Sequence, residues 1–124
     1  MSIFALCDQI RETSFALHRY LRHGHLEKVS ENGLTHRLRN QGLTGTQQQR
    51  LCIKDEDGTV LGDFSADLVV GDSLIVEPKA CRNLADEHTA QLLGSLRAPR
   101  VEHGLLISFG SSRLQIRKFA MSDV

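Results

Sequence analysis

Asp67, Glu77 and Lys79 fall inside one stretch of the 124-residue chain, ADLVVGDSLIVEPKA at 66–80. Its other residues read as two apolar strands around a Gly-Asp turn signal. Carboxylates brought close together repel, and each resists ionisation unless a cation lies between them. Oxygen donors suit a hard ion, Mg²⁺ or Mn²⁺. Mg²⁺ takes one or two carboxylates and completes its shell with waters and phosphate oxygens. Side chains alternate along a strand, so Glu77 and Lys79 share a face. An ammonium there can hold an attacking water or offset charge on a phosphate in the transition state. The chemistry such a set supports is phosphodiester hydrolysis.

Whether Asp67 meets Glu77 depends on the turn between their strands. Asp63, Ser65, Asp67 and Val69 alternate with Phe64, Ala66, Leu68 and Val70, and the second set is the better core face. A two-residue Gly71-Asp72 loop pairs Val70 with Ser73 and Ala66 with Glu77, which leaves Asp67 on the opposite face. A three-residue loop, Gly71 to Ser73, pairs Val70 with Leu74 and places Asp67 across from Glu77. That register, or an equivalent bulge, is the expectation.

The elements that must position these residues follow from periodicity. From about Asp8 to Arg22, Ile10, Leu17 and Leu21 share a helical face, with Ala16 and Tyr20 beside it. Gly24 interrupts. A second helix is expected from His25 to about Asn40, with Leu26, Val29, Leu34 and Leu38 near one stripe and Gly42 as its stop. Strands are expected at about 48–55, 59–70 and 74–80, with Asp57-Gly58 as a further hairpin signal. NLADEHTAQLLGSLRA returns to helical spacing, with Asn83 placed to cap it and Pro99 to end it. HGLLISFG reads as a buried strand and RLQIRKF as a final, more exposed one. The order is helix, helix, three strands, helix, two strands, an α/β sandwich with a mixed sheet.

Several of these blocks resemble a known pattern. AD at 66–67 followed by VEPK at 76–79 looks like the D…(D/E)xK signature of the PD-(D/E)XK phosphodiesterase superfamily. GHLEKVS at 24–30, the ADLVV…IVEPKA block, EHTAQLLGSLRA and GLLISFGSSRLQIRK together resemble its small GxxExxY family, over about residues 10–119. The resemblance implies a restriction-endonuclease-like αβββαβ core with an additional C-terminal strand, helices on both sides of the sheet, and a metal-dependent nuclease-type site. It assigns Asp67, Glu77, the Pro78 carbonyl and Glu27 to Mg²⁺ or Mn²⁺, and Asp67, Glu77, Lys79 and Gln91 to catalysis. Three positions depart from the pattern: Ser30 and Ser95 stand where the motifs have Tyr, and Pro78 stands where ExK usually has an apolar residue. Pro78 removes a strand N–H donor.

Composition bounds the rest. The length suits one domain over residues 1–124, and 40% hydrophobic residues without Trp imply a Leu, Val and Ile core. Cys7, Cys52 and Cys81 are scattered, odd in number and form no CxxC, so reduced thiols in a cytoplasmic protein are expected. No apolar run is long enough to span a bilayer, and no membrane partner is expected. The formal charge is zero, which argues against strong indiscriminate nucleic-acid binding. It is unevenly spread, at +3 over residues 1–50 and −4 over 51–100.

The blander readings are specific. Glu27 shares a helical face with Glu31, Leu34 and Leu38 and reads as a solvated flank residue. Asp67 reads as a strand-edge charge, and Glu77 with Lys79 as a surface ion pair. His23 and His25 lack zinc spacing and read as solvent-facing. His88 shares a helix face with Gln91 and reads as packing under the sheet or touching the site. Arg113, Arg117 and Lys118 alternate with apolar residues as a solvated face, or contact phosphates. The first expectation is a metal-dependent nuclease acting on nucleic acid, DNA ahead of RNA, with a homodimer or larger protein partner supplying specificity. The alternative is a catalytically inactive domain of the same fold that binds nucleic acid or a protein partner.

Overall fold

A five-stranded sheet in the order β1-β2-β3-β4-β5 carries helices on both faces. The computed structural model describes residues 1–71, 73–97 and 101–120, with the side chains of Ser95 and Arg97 excluded. Asp72 in the predicted turn, Pro99 as helix stop and the Ser95 side chain therefore lie outside the described residues. The elements are α1 (Ile3–Leu21), α2 (Glu27–Asn40), β1 (Gly45–Lys54), β2 (Val60–Val70), β3 (Leu74–Lys79), α3 (Asp86–Arg97), β4 (His103–Ser108) and β5 (Gln115–Ala120). β3 and β4 are parallel and joined through α3; the other neighbours are antiparallel.

Local chemistry sets most of the boundaries. Ser2 caps α1 by accepting the Ala5 N–H at 3.1 Å. α2 ends at Gly42, whose φ of +84° suits a residue without Cβ and whose N–H reaches the Arg39 carbonyl at 3.0 Å. Gly58 closes the β1–β2 hairpin at φ +87°. Asn83 does not cap α3: its side-chain oxygen accepts from Gln115, while the Ala85 N–H is taken by His88 Nδ1 at 2.9 Å. The cap thus comes from within the helix, because β5 draws Asn83 away.

The core has two halves, one on each face of the sheet. Ile10 and Leu17 of α1 and Leu34 and Leu38 of α2 pack on Leu68, Val70, Leu74 and Val76. Leu92 and Leu96 of α3 pack on Ala66, Val69, Ile75 and Leu106. This corrects the expected core face of β2. Leu68 and Val70 do lie under α1 and α2, but Phe64 and Ala66 pack on the α3 side. A sheet covered on both faces buries both alternating sets, and the alternation slips near Asp67, opposite Gln48 with its left-handed backbone at φ +51°. Tyr20, Leu26 and Val29 are likewise exposed rather than buried. Leu26 precedes α2, and Tyr20 lies outside the α1–α2 seam beneath the Arg37 guanidinium, 5.9 Å from its ring centroid.

Candidate active site

β2 pairs with β3 through Val70↔Leu74, Val69↔Ile75 and Leu68↔Val76. This is the three-residue-loop register, and it sets Asp67 and Glu77 one step beyond the last pair. The β3–β4 ladder continues to Lys79↔Ser108. β2 and β3 therefore part at the level of the two carboxylates, and the gap is the floor of a cleft of about 480 Å³.

Pro78 fits this divergence. The Lys79 carbonyl accepts the Phe109 N–H at 2.8 Å, so that edge of the residue faces β4. Strand alternation then turns the Pro78 nitrogen and carbonyl toward β2, where the ladder has already stopped. The missing N–H costs no ladder bond there, and the carbonyl points to the side where the carboxylates gather.

Asp67, Glu77 and Lys79 all line the cleft, joined by Glu27 from the first turn of α2 and by His88 and Gln91 from α3. Leu92 and Leu106 close the apolar side. Glu77 is half-buried, and its carboxyl is pushed up to about 8. Burial is the largest cause; a hydrogen bond shared with Asp67 and the charges of Asp67 and Glu27 add to it, and Lys79 opposes them. Asp67 Oδ1 also accepts from Gln48 Nε2 at 3.2 Å.

This donor set fits a hard divalent cation. Burial and the neighbouring Asp67 raise the Glu77 carboxyl, and a cation at the same place would relieve that repulsion. Among the described residues no three His, Cys, Asp or Glu side chains form a ready-made cage. Two carboxylates supplemented by backbone oxygen, water and substrate oxygens is the Mg²⁺ pattern rather than the zinc one.

The cleft brings together Asp67, Glu77, Lys79, Glu27 and Gln91, with Pro78 between two of them in sequence. Arg113, Arg117 and Lys118 are not on its walls. Arg117 donates to Thr89 Oγ1 and the Leu84 carbonyl on the α3 side, while Lys118 sits 4.3 Å over the Phe4 ring on the α1 side. Ser30 is buried in α2, and His23 and His25 are exposed. Sequence reasoning missed Glu31 and Gln48. Glu31 is only 3% exposed, and its place between Glu27 and Leu34 on the α2 stripe was the signal that could have found it. Gln48 carried no signal in the sequence.

The sequence matches the PD-(D/E)XK nuclease superfamily over residues 5–119, and the chain belongs to that superfamily. A solved protein, described as the crystal structure of SSO0001, is similar in fold, with a TM-score of 0.60 and 18% identity. The likeness covers 75% of this chain and 48% of that one, so the chain spans about half the length of that relative. No curated protein matches it.

Proposed function

We propose, from membership of the PD-(D/E)XK nuclease superfamily and the convergence of Asp67, Glu77 and Lys79, that the protein is a divalent-metal-dependent nuclease. The observation that carries this reading is the carboxylate pair Asp67 and Glu77, lining one cleft with Lys79 where β2 and β3 part. Asp67, Glu77 and the Pro78 carbonyl would hold the ion, and Glu27 would complete the set directly or through water. Mg²⁺ or Mn²⁺, when bound, supplies positive charge to the scissile phosphate and lowers the pKa of water. Lys79 orients the attacking water and offsets the charge that builds on the phosphate oxygens. Gln91 orients Lys79 or the phosphate. Leu92 and Leu106 give one wall of the cleft an apolar surface.

The finer parts of this reading rest on sequence features. GHLEKVS supports the GxxExxY family, and the three scattered cysteines support a cytoplasmic setting. Among the described residues no helix is long and apolar enough to cross a membrane. A single domain over 1–124, DNA as substrate, and a homodimer or larger partner belong to the same proposal. Arg113, Arg117 and Lys118 stay in it as phosphate contacts outside the cleft.

The test is cleavage of a panel of labelled DNA and RNA in Mg²⁺, Mn²⁺ or EDTA, with Asp67→Ala as control. Cleavage by the wild type alone, abolished by EDTA, is the expected result. Equal cleavage by the variant would remove Asp67 from the site. A second reading, a silent module that binds nucleic acid or a protein, is favoured by Ser30, Pro78 and Ser95, where the motifs are broken. No cleavage by either protein would favour it.

A further inference from the structure

Resting on the reading above, we propose that Gln48 is a positioning residue for Asp67, its side-chain amide tying that carboxylate to a second, buried carboxylate, Glu31. Among the described residues, Gln48 is the one strand residue other than glycine with a positive φ, +51°. An L-residue with a long side chain adopts that conformation at a cost, so something must hold it there. The ladder pairs Gln47 with Leu68 and Gln49 with Ala66 on either side, but it omits Gln48, the residue opposite Asp67. The backbone leaves the ladder where the side chain meets the site.

Gln48 Nε2 lies 3.1 Å from Glu31 Oε1 and 3.2 Å from Asp67 Oδ1. Both partners accept, so the NH₂ end must be the one present, with one hydrogen for each carboxylate. Glu31 is a firm anchor. Its other oxygen, Oε2, accepts from Lys28 Nζ at 2.9 Å and from Gln47 Nε2 at 2.7 Å, and the residue is buried. Asp67 is thereby held through Oδ1 while it lines the same cleft as Glu77. The bridging group is neutral. A lysine or arginine in its place would bring a positive charge that competes with the cation, whereas an amide orients Asp67 and leaves its charge available.

The test uses the full chain with Mn²⁺ as the probe, in Gln48→Leu and Gln48→Gly. Leucine keeps the bulk and removes both donors; glycine removes them and relieves the left-handed backbone. Mn²⁺ affinity by calorimetry is expected to fall roughly 10–100-fold in both, with the glycine variant no less heat-stable than wild type. Wild-type affinity in either variant overturns the proposal. A second readout works without metal. The ¹⁵N–¹H signals of the Gln48 amide, assigned by their loss in Gln48→Leu, are expected to shift in Asp67→Ala and in Glu31→Gln. Signals that ignore Asp67→Ala overturn the proposal even if Glu31→Gln fails to fold. If the wild type binds no Mn²⁺, the metal reading falls, and the amide signals alone decide whether Gln48 holds Asp67.

Discussion

Glu77 binds its proton more firmly than an exposed carboxyl does, because burial, Asp67 and Glu27 all disfavour its charge. The folded protein therefore holds a proton between about pH 4.5 and about 8 that the unfolded chain has released. The native state binds more protons in that window, so this contribution to stability is complete below about 4.5 and is lost as pH rises through about 8. Relative to Glu77→Gln, which keeps a donor to Asp67 without the charge, the metal-free wild type should lose up to about 1.4 kcal/mol per pH unit across the window. Urea unfolding at several pH values measures this; parallel curves for the two proteins would refute it. Mn²⁺ must displace the same proton. Calorimetry at pH 7 in buffers of different ionisation heat should show close to one proton released per ion, with affinity rising until about pH 8. Groups that only orient a ligand are worth roughly 10–100-fold in affinity or activity, so Asp67→Ala is expected to cost at least about 100-fold in cleavage.

The end of β3 is fixed by the chain that follows β4. A Cβ on Gly110 would run into the backbone of Ala80 and Cys81, immediately after Lys79. The Phe109 N–H bonds the Lys79 carbonyl, and Ser108 Oγ donates to the Cys81 carbonyl in the same place. Backbone cannot rotate out of the way as a side chain can. Gly110→Ala is therefore expected to cost about 3 kcal/mol and to reduce cleavage by displacing Lys79. Gly104 contrasts with it: a Cβ there meets the Leu92 side chain, Cδ1 at 2.9 Å and Cγ at 3.1 Å, rather than backbone, so Gly104→Ala should cost less, about 1–2 kcal/mol. Gly94 on α3 has open space, and Gly94→Ala should stabilise by about 0.5–1 kcal/mol. Chemical denaturation of the three variants checks the order; a Gly110→Ala protein as stable as Gly94→Ala would break the argument.

Across the whole molecule, positive and negative charge balance, and the β1–β2 hairpin ends in the acidic run Asp55, Glu56 and Asp57. Arg117 is engaged with α3, Arg50 pairs with Asp63 at 3.2 Å, and Lys118 lies over an aromatic ring. With zero net charge and these three cations already engaged within the protein, binding is expected to release few counterions from a phosphate backbone. Binding of labelled DNA by the Asp67→Ala protein should then depend weakly on salt, with a slope of log K against log salt shallower than about −4. A slope of −6 or steeper, measured by fluorescence anisotropy, would show a phosphate track that these pairings do not predict.

The sequence by itself determined the element order, the sheet's mixed character and the Gly42 and Gly58 turns, and it narrowed the facing of Asp67 and Glu77 to a choice of two loop registers, of which the structure takes the three-residue one. These are short-range properties: helical and strand periods, glycine's access to positive φ, and the parity of a three-residue loop. The face of each apolar residue was less legible. Val69 and Leu68 are both buried because helices cover both sides of the sheet, so alternation had no polar side to mark. Asn83 looked like a cap until β5 supplied Gln115, and Glu31 had no assigned role until β1 supplied Gln47 and Gln48. The strained Gln48 and the raised Glu77 were decided only by tertiary structure. Both depend on burial and on partners 17–19 residues or one strand away, and no local pattern encodes how deeply a carboxylate will lie or which amide will reach it.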